Sequence, residues 1–351
     1  MPVSVVVGGQ FGSEGKGKVA LEWARNSTAP RVAVARVGGP NSGHTAYDRT
    51  GRRFALRQMP AGAIDRNVDV VFPPGSFIDA EVLRREIEVL DYPRERIFIS
   101  PYANVISGEH KVWETKSGLV AGIGSTGSGV GAAVMAAAAR EAANFSLQRH
   151  DAEHCAPLEP YLCDTTLLMR QWLNAKSRVI IEGTQGFGLS LYHSGLWPKV
   201  TSRSTTAASA LDECGLGPID VDDVTLVIRS FPIRVAGNSG PLTKETTWEA
   251  IAASIGAKED LREYTTVTKM VRRVGVFDPE IVKKAVATNN PTRIVMNHLD
   301  YVAGPLVGTA ICALAREFID YVECSIGRSI DFLGFSPTSL IERSATSVCA
   351  T

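Results

Sequence analysis

A glycine-rich segment with two lysines occupies residues 8–18, reading Gly-Gly-Gln-Phe-Gly-Ser-Glu-Gly-Lys-Gly-Lys. It follows an apolar run typical of a strand and precedes a stretch typical of a helix. Glycines let the backbone fold around an anion, the helix N-terminus attracts negative charge, and Lys16 and Lys18 add full positive charges. The Walker A register is absent, because Gln10 replaces its first glycine and Gly17 its Ser or Thr. The segment predicts phosphate binding outside the Walker class; the alternative is an ordinary glycine-rich turn.

A second glycine-rich turn, Gly-Gly-Pro-Asn-Ser-Gly-His-Thr, covers residues 38–45 and contains His44. An imidazole held in such a turn can act as a general acid or stabilise a phosphoryl group during transfer. A single histidine in a loop is more often only solvated. Because both turns directly follow predicted strands, we expect them to act together on a phosphorylated substrate.

The elements that must position these turns are short apolar runs rich in β-branched residues. They predict strands at 3–7, 31–36, 68–72, 96–100, 178–182, 224–229 and 293–297. Alternation of such strands with helical segments, for example 79–90 and 132–143, is typical of a parallel sheet covered on both faces. The predicted fold class is α/β, with a large, mostly parallel central sheet flanked by helices. Residues 1–351 are interpreted as one domain with insertions.

The overall composition narrows the function classes. Lys plus Arg and Asp plus Glu each number 37, and this balance argues against a general binder of nucleic acid or of a membrane surface. No apolar run reaches the roughly 18 residues of a membrane span, and no signal-peptide layout opens the sequence. Six cysteines without a Cys-x-x-Cys motif indicate reduced thiols of a cytosolic protein.

The two turns and the motifs that follow them resemble adenylosuccinate synthetase. The later motifs occur in the family's order: Gly-Ser-Thr-Gly-Ser-Gly at 124–129, Glu-Gly-Thr-Gln-Gly at 182–186, Val-Thr-Ser at 200–202, Arg-Arg-Val-Gly at 272–275 and Leu-Asp at 299–300. The resemblance covers nearly the whole chain and is nearest to the shorter, archaeal-type branch. It implies the family's fold, which is related to P-loop folds.

The resemblance also implies a two-step reaction. A γ-phosphoryl group moves to O6 of a purine monophosphate, and the amine of L-aspartate then displaces phosphate at C6, with Mg²⁺ assisting. By the resemblance, His44 is the general acid, Gly43 and residue 13 are metal ligands, and Arg140 reaches the neighbouring site of a homodimer. The implied catalytic residues are Ser13, Lys16, His44 and Gln185. The implied triphosphate site comprises Ser13, Gly15, Lys16, Gly17, Lys18, Gly43, His44, Thr45, Asn297, Leu299, Asp300, Gly334, Phe335 and Ser336.

Two further sets of residues follow from the same resemblance. The implied monophosphate site comprises Ser13, Asn41, Ser125, Thr126, Arg140, Gln185, Thr201 and Val271. The implied aspartate site comprises Thr265, Thr266, Thr268, Arg272 and Arg273. For Arg140 the alternative is a structural salt bridge.

The sequence departs from the family pattern in three places. Ser13 stands where the family has the aspartate that takes the proton from purine N1 and ligates Mg²⁺, and a serine hydroxyl is neither a base near neutral pH nor a strong metal ligand. The smaller residue leaves room for an amino group on C2, which guanine carries and hypoxanthine lacks. Val271 replaces an arginine that reaches the ribose 2′-hydroxyl. In the donor-base segment, His298 replaces a lysine and Phe335 lies inside the Ser-Thr-Gly-like turn, while Asp300 remains, so the base of the donor stays open.

Ser13 and Val271 together match a phage branch of the family. That branch joins L-aspartate to dGMP with ATP or dATP, supplying the diaminopurine of phage DNA in the bacterial host cytoplasm. The resemblance therefore implies dGMP, L-aspartate and ATP or dATP as substrates. The alternatives are the ordinary reaction on IMP with GTP, a nucleotide-binding protein without catalysis, and a plain phosphotransferase.

Overall fold

The computed structural model describes residues 2–265, 269–306, 310–345 and 347–348. Its strands are β1 (Val3–Gly8), β2 (Val32–Arg36), β3 (His44–Tyr47), β4 (Arg53–Leu56), β5 (Asp69–Phe72), β6 (Phe77–Ile78), β7 (Ile97–Ile99), β8 (Asn104–Val105), β9 (Arg178–Glu182), β10 (Val221–Arg229), β11 (Ile233–Arg234), β12 (Glu245–Thr246), β13 (Arg273–Gly275), β14 (Arg293–Asn297), β15 (Ala310–Ile311), β16 (Phe332–Leu333), β17 (Ile341–Glu342) and β18 (Ser347–Val348).

Helices fill most of the intervals between these strands. The α-helices are α1 (Lys16–Arg25), α2 (Ala80–Leu90), α3 (Gly108–Lys116), α4 (Leu119–Ile123), α5 (Val130–Ala139), α6 (Thr165–Asn174), α7 (Ala207–Glu213), α8 (Trp248–Ser254), α9 (Pro279–Asn289), α10 (Asp300–Ala303) and α11 (Ala313–Ile326). Short 3-10 helices cover Ala61–Ile64, Arg94–Arg96, Ala152–His154, Ala156–Tyr161, Phe187–Leu189, Pro218–Asp220 and Arg343–Ala345.

The main sheet has nine strands in the order β17-β16-β14-β10-β1-β9-β2-β5-β7. Its neighbouring strands pair in parallel except β16 and β17, which are antiparallel. The predicted α/β class with a large, mostly parallel sheet is confirmed, and all seven predicted strands lie in it. The interpretation of residues 1–351 as one domain stays a prediction.

Both faces of the sheet are buried, which explains the continuous apolar strands. Side chains alternate between faces, so Val5 and Val7 pack into one core cluster and Val6 into another. The first cluster is covered by α6, α7, α9 and α11, and the second by α1, whose Trp23 contacts Phe332 edge-on. Trp23 also donates a hydrogen bond from Nε1 to Thr225 Oγ1 at 3.1 Å, which satisfies its polar atom inside the core.

The two predicted helices exist with different ends. Helix α2 begins after Asp79, whose Oδ1 accepts a hydrogen bond from the Val82 amide at 3.3 Å and caps the helix. Helix α5 starts two residues earlier than predicted and stops at Ala139, because Arg140 adopts a φ of 55° that an α-helix does not allow. No described helix is long and apolar enough to cross a membrane.

Four neighbours in the sheet end in buried polar residues at one edge. They are Arg36 of β2, Glu182 of β9, Arg229 of β10 and Asn297 of β14, none more than 1% exposed. Between β9 and β10 lies β1, which ends at Gly8 and continues into the glycine-rich loop. Parallel strands bring their carboxyl ends to the same edge, so the fold gathers these groups around that loop.

Candidate active site

The loop between β1 and α1 is organised around one of its own carboxylates. Glu14 Oε1 accepts hydrogen bonds from the amides of Gln10 at 3.1 Å and Gly12 at 2.8 Å, and Lys16 Nζ lies 2.8 Å from Glu14 Oε2. The loop can turn this tightly because Gly12 and Gly15 adopt φ values of 95° and 91°. The result is a preformed turn that leads into the N-terminus of α1, where an anion is favoured.

Gly17 lets α1 approach the second glycine-rich turn. A Cβ at this position would lie 3.1 Å from the Cβ of His44 and 2.9 Å from that of Ala61. A larger residue would therefore push the helix away from β3, which begins at His44. The two turns that the sequence singles out consequently meet in one place, with Lys16 and His44 close to each other.

His44 is held from both sides of its ring. Its Nδ1 pairs with Glu182 Oε1, while Arg36 Nη1 lies 3.3 Å from Nε2. A guanidinium can only donate, so Nε2 is the acceptor and the ring proton resides on Nδ1. Burial and the neighbouring Arg36 charge lower the pKa of His44 to about 4, and the imidazole is therefore neutral near pH 7.

Arg36 and Glu182 contact the predicted catalytic residue His44, and sequence reasoning missed both. Glu182 also accepts a hydrogen bond from the Ala61 amide at 2.9 Å through its other oxygen, so the carboxylate is fully engaged in fixing His44. A signal for both residues was present, because each is a charged residue that ends an otherwise apolar strand. Buried charges at that position must find partners, and the nearest glycine-rich turn supplies them.

The predicted donor-site segments converge on α1. Lys18 Nζ donates to the carbonyls of Ser336 at 2.9 Å and Ser339 at 3.2 Å, and Leu299 N donates to Gly334 O at 3.0 Å. Asn297 Nδ2 reaches Glu14 O at 2.8 Å. Lys18, Asn297, Leu299, Gly334 and Ser336 are thus brought together although the sequence separates them widely.

Burial shifts the pKa values of two charged residues in the predicted triphosphate site, Lys18 and Asp300. Desolvation lowers the pKa of Lys18 to about 8, against the attraction of Asp300. Desolvation likewise raises the pKa of Asp300 to about 6, with Lys18 opposing the shift. Phe335, by contrast, packs into the main core cluster. Lys18 and Asp300 thus attract each other on this side of α1, while the ammonium of Lys18 is also bonded to two carbonyls.

Ser13 lies on the opposite flank of the loop, against the segment predicted to bind aspartate. Its hydroxyl oxygen accepts a hydrogen bond from Arg272 Nη1, and its carbonyl accepts one from Arg229 Nη1 at 2.9 Å. Ser13 has a φ of 57°, and in this conformation both of its oxygens face arginine side chains. The structure therefore places a predicted purine-binding residue and a predicted aspartate-binding residue in direct contact.

Several residues predicted to bind the nucleoside monophosphate lie in two further segments, one around Ser125 and the other at Gln185. Ser125 Oγ donates to Glu114 Oε1, and the Gly127 amide donates to Ser125 Oγ at 3.2 Å, while Thr126 pairs with Ser128. Gln185 has a φ of 53°, and its Oε1 is buried without a hydrogen-bond partner among the described residues. A buried amide oxygen of this kind is suited to accept from a ligand.

The remaining predicted residues of the turns occupy ordinary positions. Ser42 Oγ lies 2.9 Å from Thr184 Oγ1, a contact that joins the turn around half-buried Asn41 and Gly43 to the segment of Gln185. Thr45 pairs with Ala55 in the β3–β4 hairpin. Thr201 donates its amide to Leu189 O at 2.8 Å.

Several predicted residues do not join these clusters within one chain. Arg140 is exposed at the end of α5. Arg273 turns away from Ser13, pairing with Glu245 and donating to Gly240 O at 2.8 Å. Val271 is 38% exposed and Thr265 is buried. The predicted Thr266 and Thr268 lie outside the described residues.

Comparison with known proteins gives a consistent family. A family model described as adenylosuccinate synthetase matches residues 5–156 and 144–315. The adenylosuccinate synthetase of Pyrococcus sp. (strain ST700) is 36% identical over 344 residues, covering 96% of each chain. That of Methanocaldococcus jannaschii is 35% identical over 342 residues, covering 95% of this chain and 94% of the relative.

Two solved structures extend the comparison. The succinoaminodeoxyadenylate synthetase PurZ of cyanophage S-2L, bound to dGMP and dATP as an energy donor, has a TM-score of 0.79 at 28% identity, covering 97% of this chain and 95% of that one. The fully ligated adenylosuccinate synthetase of Plasmodium falciparum has a TM-score of 0.82 at 20% identity, covering 98% and 100%, and supports the fold. With the family model and the archaeal relatives, these likenesses show that the chain belongs to the adenylosuccinate synthetase family of purine-nucleotide ligases.

Proposed function

We propose that this ligase joins L-aspartate to C6 of dGMP, using ATP or dATP. The γ-phosphoryl group is transferred to O6 as N1 loses its proton, which releases ADP or dADP. The aspartate amine then attacks C6, loses a proton and displaces phosphate. The product is N6-succino-2-amino-2′-deoxyadenylate, a precursor of diaminopurine, made in the cytoplasm of a phage-infected cell.

The observation that carries the choice of dGMP is the residue at position 13. Where the family has an aspartate beside N1, this chain has Ser13, whose hydroxyl is bonded to Arg272. A serine leaves more space next to C2, and the 2-amino group of guanine needs that space. The cyanophage relative bound to dGMP supports the same choice.

The preference for a deoxyribose rests on Val271. An apolar, partly exposed side chain stands where the family pattern has an arginine directed at the ribose 2′-hydroxyl. A ribonucleotide would lack that charge-assisted hydrogen bond, worth about 1.5–3 kcal/mol, whereas a deoxyribonucleotide has no hydroxyl to satisfy.

In this proposal the residues around His44 carry the phosphoryl step. Glu182 fixes the ring. To act as an acid, the imidazole must first take up a proton on Nε2, which the negative charge of bound phosphates favours, and Nε2 then donates to the transferring group in place of its contact with Arg36. Lys16 and the amides at the start of α1 neutralise charge on the donor phosphates, so catalysis is mainly positioning and electrostatic stabilisation. Gln185 and Thr126 hold the monophosphate, and Arg272 binds aspartate.

Mg²⁺ enters the proposal as an ion held mainly by the nucleotide. Among the described residues, no three His, Cys, Asp or Glu side chains cluster as a metal site, and the Ser13 hydroxyl is bonded to a guanidinium. This donor set fits an ion that arrives with phosphate oxygens and gains the Gly43 carbonyl and Ser13 hydroxyl as neutral ligands. Bound there, Mg²⁺ would offset the negative charge of the donor phosphates.

Two parts of the proposal concern neighbours of this site. ATP or dATP as donor is supported by the dATP bound to the cyanophage relative. A homodimer is supported by the exposed Arg140, which would reach the monophosphate of the neighbouring chain instead of forming a salt bridge within its own chain.

A second candidate is the ordinary reaction on IMP with GTP. It is favoured by the archaeal relatives, which are 35–36% identical and named adenylosuccinate synthetases. Asp300 also remains in the donor segment and is buried enough to pair with a base.

The deciding experiment measures phosphate release with dGMP, GMP and IMP side by side, each with ATP, dATP and GTP, with and without L-aspartate. We expect kcat/KM to be highest for dGMP, with release dependent on aspartate. Faster turnover of IMP would favour the second candidate, and equal rates with GMP would remove the role of Val271. Release without aspartate would indicate a phosphotransferase.

A further inference from the structure

An ion pair that the proposed mechanism does not use, buried at its arginine and partly buried at its glutamate, lies behind the contact of Ser13 and Arg272. Arg229, at the end of β10 and fully buried, pairs through Nη2 with Glu263 Oε1, and its Nη1 lies 3.3 Å from Glu263 Oε2. Tyr301 adds a hydrogen bond from its hydroxyl to Glu263 Oε1 at 3.2 Å. Burial opposes ionisation of Glu263, but Arg229 and His298 lower its pKa to about 2, so the pair is charged.

The arginine of this pair anchors the phosphate loop. Arg229 Nη1 donates to Ser13 O at 2.9 Å, which fixes the carbonyl of the residue beside purine N1. The Arg229 backbone exchanges two hydrogen bonds with the Gln10 side chain, from N to Oε1 at 2.9 Å and from Nε2 to O at 3.1 Å. One rigid strand end thus sets the position of both Gln10 and Ser13.

The glutamate of the pair anchors the aspartate segment. Glu263 O accepts the Arg272 amide at 2.8 Å, and Tyr264 O accepts from Arg272 Nε at 3.2 Å. These two carbonyls fix the backbone and the guanidinium of Arg272, whose Nη1 is thereby directed at the Ser13 hydroxyl. Moving Glu263 would move both carbonyls, and with them the guanidinium.

We propose that Arg229 and Glu263 are positioning residues that hold Arg272 beside Ser13 and so determine the affinity for L-aspartate. Arg229 is bonded to one partner of the contact and, through Glu263, to the segment that carries the other. The inference rests on the proposed role of Arg272 in binding aspartate, but not on whether the purine is dGMP or IMP.

Loss of the Glu263 charge and loss of its positioning role would change the KM for aspartate in opposite directions. This makes the inference testable. Glu263→Gln removes a negative charge near an arginine that binds a dicarboxylate, so a purely electrostatic role predicts a lower KM for aspartate. Loss of positioning predicts a higher KM. A purely structural role predicts lower thermal stability with an unchanged KM.

The experiment measures KM for aspartate, KM for the purine monophosphate, kcat and Tm, with whichever monophosphate the wild-type enzyme uses. For Glu263→Gln we expect the aspartate KM to rise about tenfold or more, the order expected from one misplaced charge-assisted hydrogen bond. KM for the monophosphate should change less than about threefold. A KM for aspartate that is unchanged or lower overturns the inference.

A matched control is the bidentate pair of Arg170 and Asp220, with distances of 2.6 and 2.7 Å. Asp220 precedes β10, nine residues before Arg229 and roughly 30 Å away at about 3.3 Å per strand residue. Asp220→Asn makes the same carboxylate-to-amide change and should lower Tm without changing the aspartate KM. An equal rise of KM in this control would assign the effect to general destabilisation and overturn the inference.

Arg229→Lys keeps the charge and one hydrogen bond, and it provides the test if Glu263→Gln fails to fold. We expect an aspartate KM between those of wild type and Arg229→Met, and an unchanged KM in Arg229→Lys and Arg229→Met overturns the inference. Failure of the dGMP proposal would appear separately, in the wild-type preference for IMP.

Discussion

On each flank of the phosphate loop, an arginine and a glutamate hold a third side chain in place. The two flanks differ in which residue is held and in how it compares with the family pattern. On the β2–β9 flank, Arg36 and Glu182 hold His44, and every polar atom of the ring has a partner within the protein. On the β10–β14 flank, Arg229 and Glu263 hold Arg272 against Ser13, where the family pattern has a carboxylate.

In our proposal, one flank therefore carries out the phosphoryl transfer and the other determines which substrate is preferred. In our proposal, the His44 flank supplies the groups that phosphoryl transfer requires, whatever the purine. The Ser13 flank contacts the purine edge and the incoming amine in our proposal, and it is there that the sequence departs from the pattern. Substitutions on the two flanks should therefore differ in kind, the first changing rate for all substrates and the second changing preference among them.

The largest effect is expected on the first flank. His44→Ala should lower kcat for phosphate release by about 10²–10⁴, the usual contribution of a general acid, for every purine tested. Binding of the nucleotides, measured by calorimetry, should stay detectable. Glu182→Gln, which leaves the imidazole in place but loosens it, should cost less. Near-normal turnover in His44→Ala would remove the residue from its proposed role.

A smaller effect, confined to preference, is expected on the second flank. Ser13→Asp should lower the ratio of kcat/KM for dGMP over IMP by about tenfold or more, which corresponds to one charge-assisted hydrogen bond. Asp tolerates the positive φ of this position. Ser13→Asn is the control of similar size, and a drop in both variants would identify space, rather than charge, as the cause. An unchanged ratio in Ser13→Asp contradicts the argument from position 13.

The last effect concerns stability and not activity, and it is the response of the folded protein to acid. Burial and the Arg229 charge lower the pKa of His298 to about 3, below its ordinary value near 6.5. Between these values the unfolded chain binds a proton that the folded one does not, so stability falls as the pH falls. His298→Gln should reduce the pH slope of the unfolding free energy by about 1 kcal/mol per pH unit between pH 6.5 and 4. Urea unfolding at pH 7, 6 and 5 measures it, and parallel slopes would argue against the shifted histidine.

How much of this could be read from the sequence depends on how local each feature is. The strands and both glycine-rich turns are contiguous patterns, and the sequence predicts the strands with small errors at their ends. The pairing of Arg229 with Glu263, 34 residues apart, and of Ser13 with Arg272, 259 apart, has no local signature. Such contacts follow from strand order in the sheet, which seven separate apolar runs do not specify.

Arg273 is a second case in which the sequence does not specify a contact. Here the residues are adjacent in sequence but have different partners. The resemblance assigns the neighbouring residues Arg272 and Arg273 to one ligand, but Arg273 begins β13 and Arg272 directly precedes it, and adjacent side chains of extended backbone point to opposite sides. One therefore reaches Ser13 and the other Glu245.

The carboxylate of Glu14 lies at the centre of the phosphate loop. It holds the loop in its folded shape without any bound ligand. An internal anion already collects the amides of Gln10 and Gly12 and the charge of Lys16, so the turn keeps its shape before any nucleotide arrives. The ordering entropy of the loop is then spent during folding and not during binding. A nucleotide consequently meets a rigid receptor, and less of its binding energy is lost to ordering this turn.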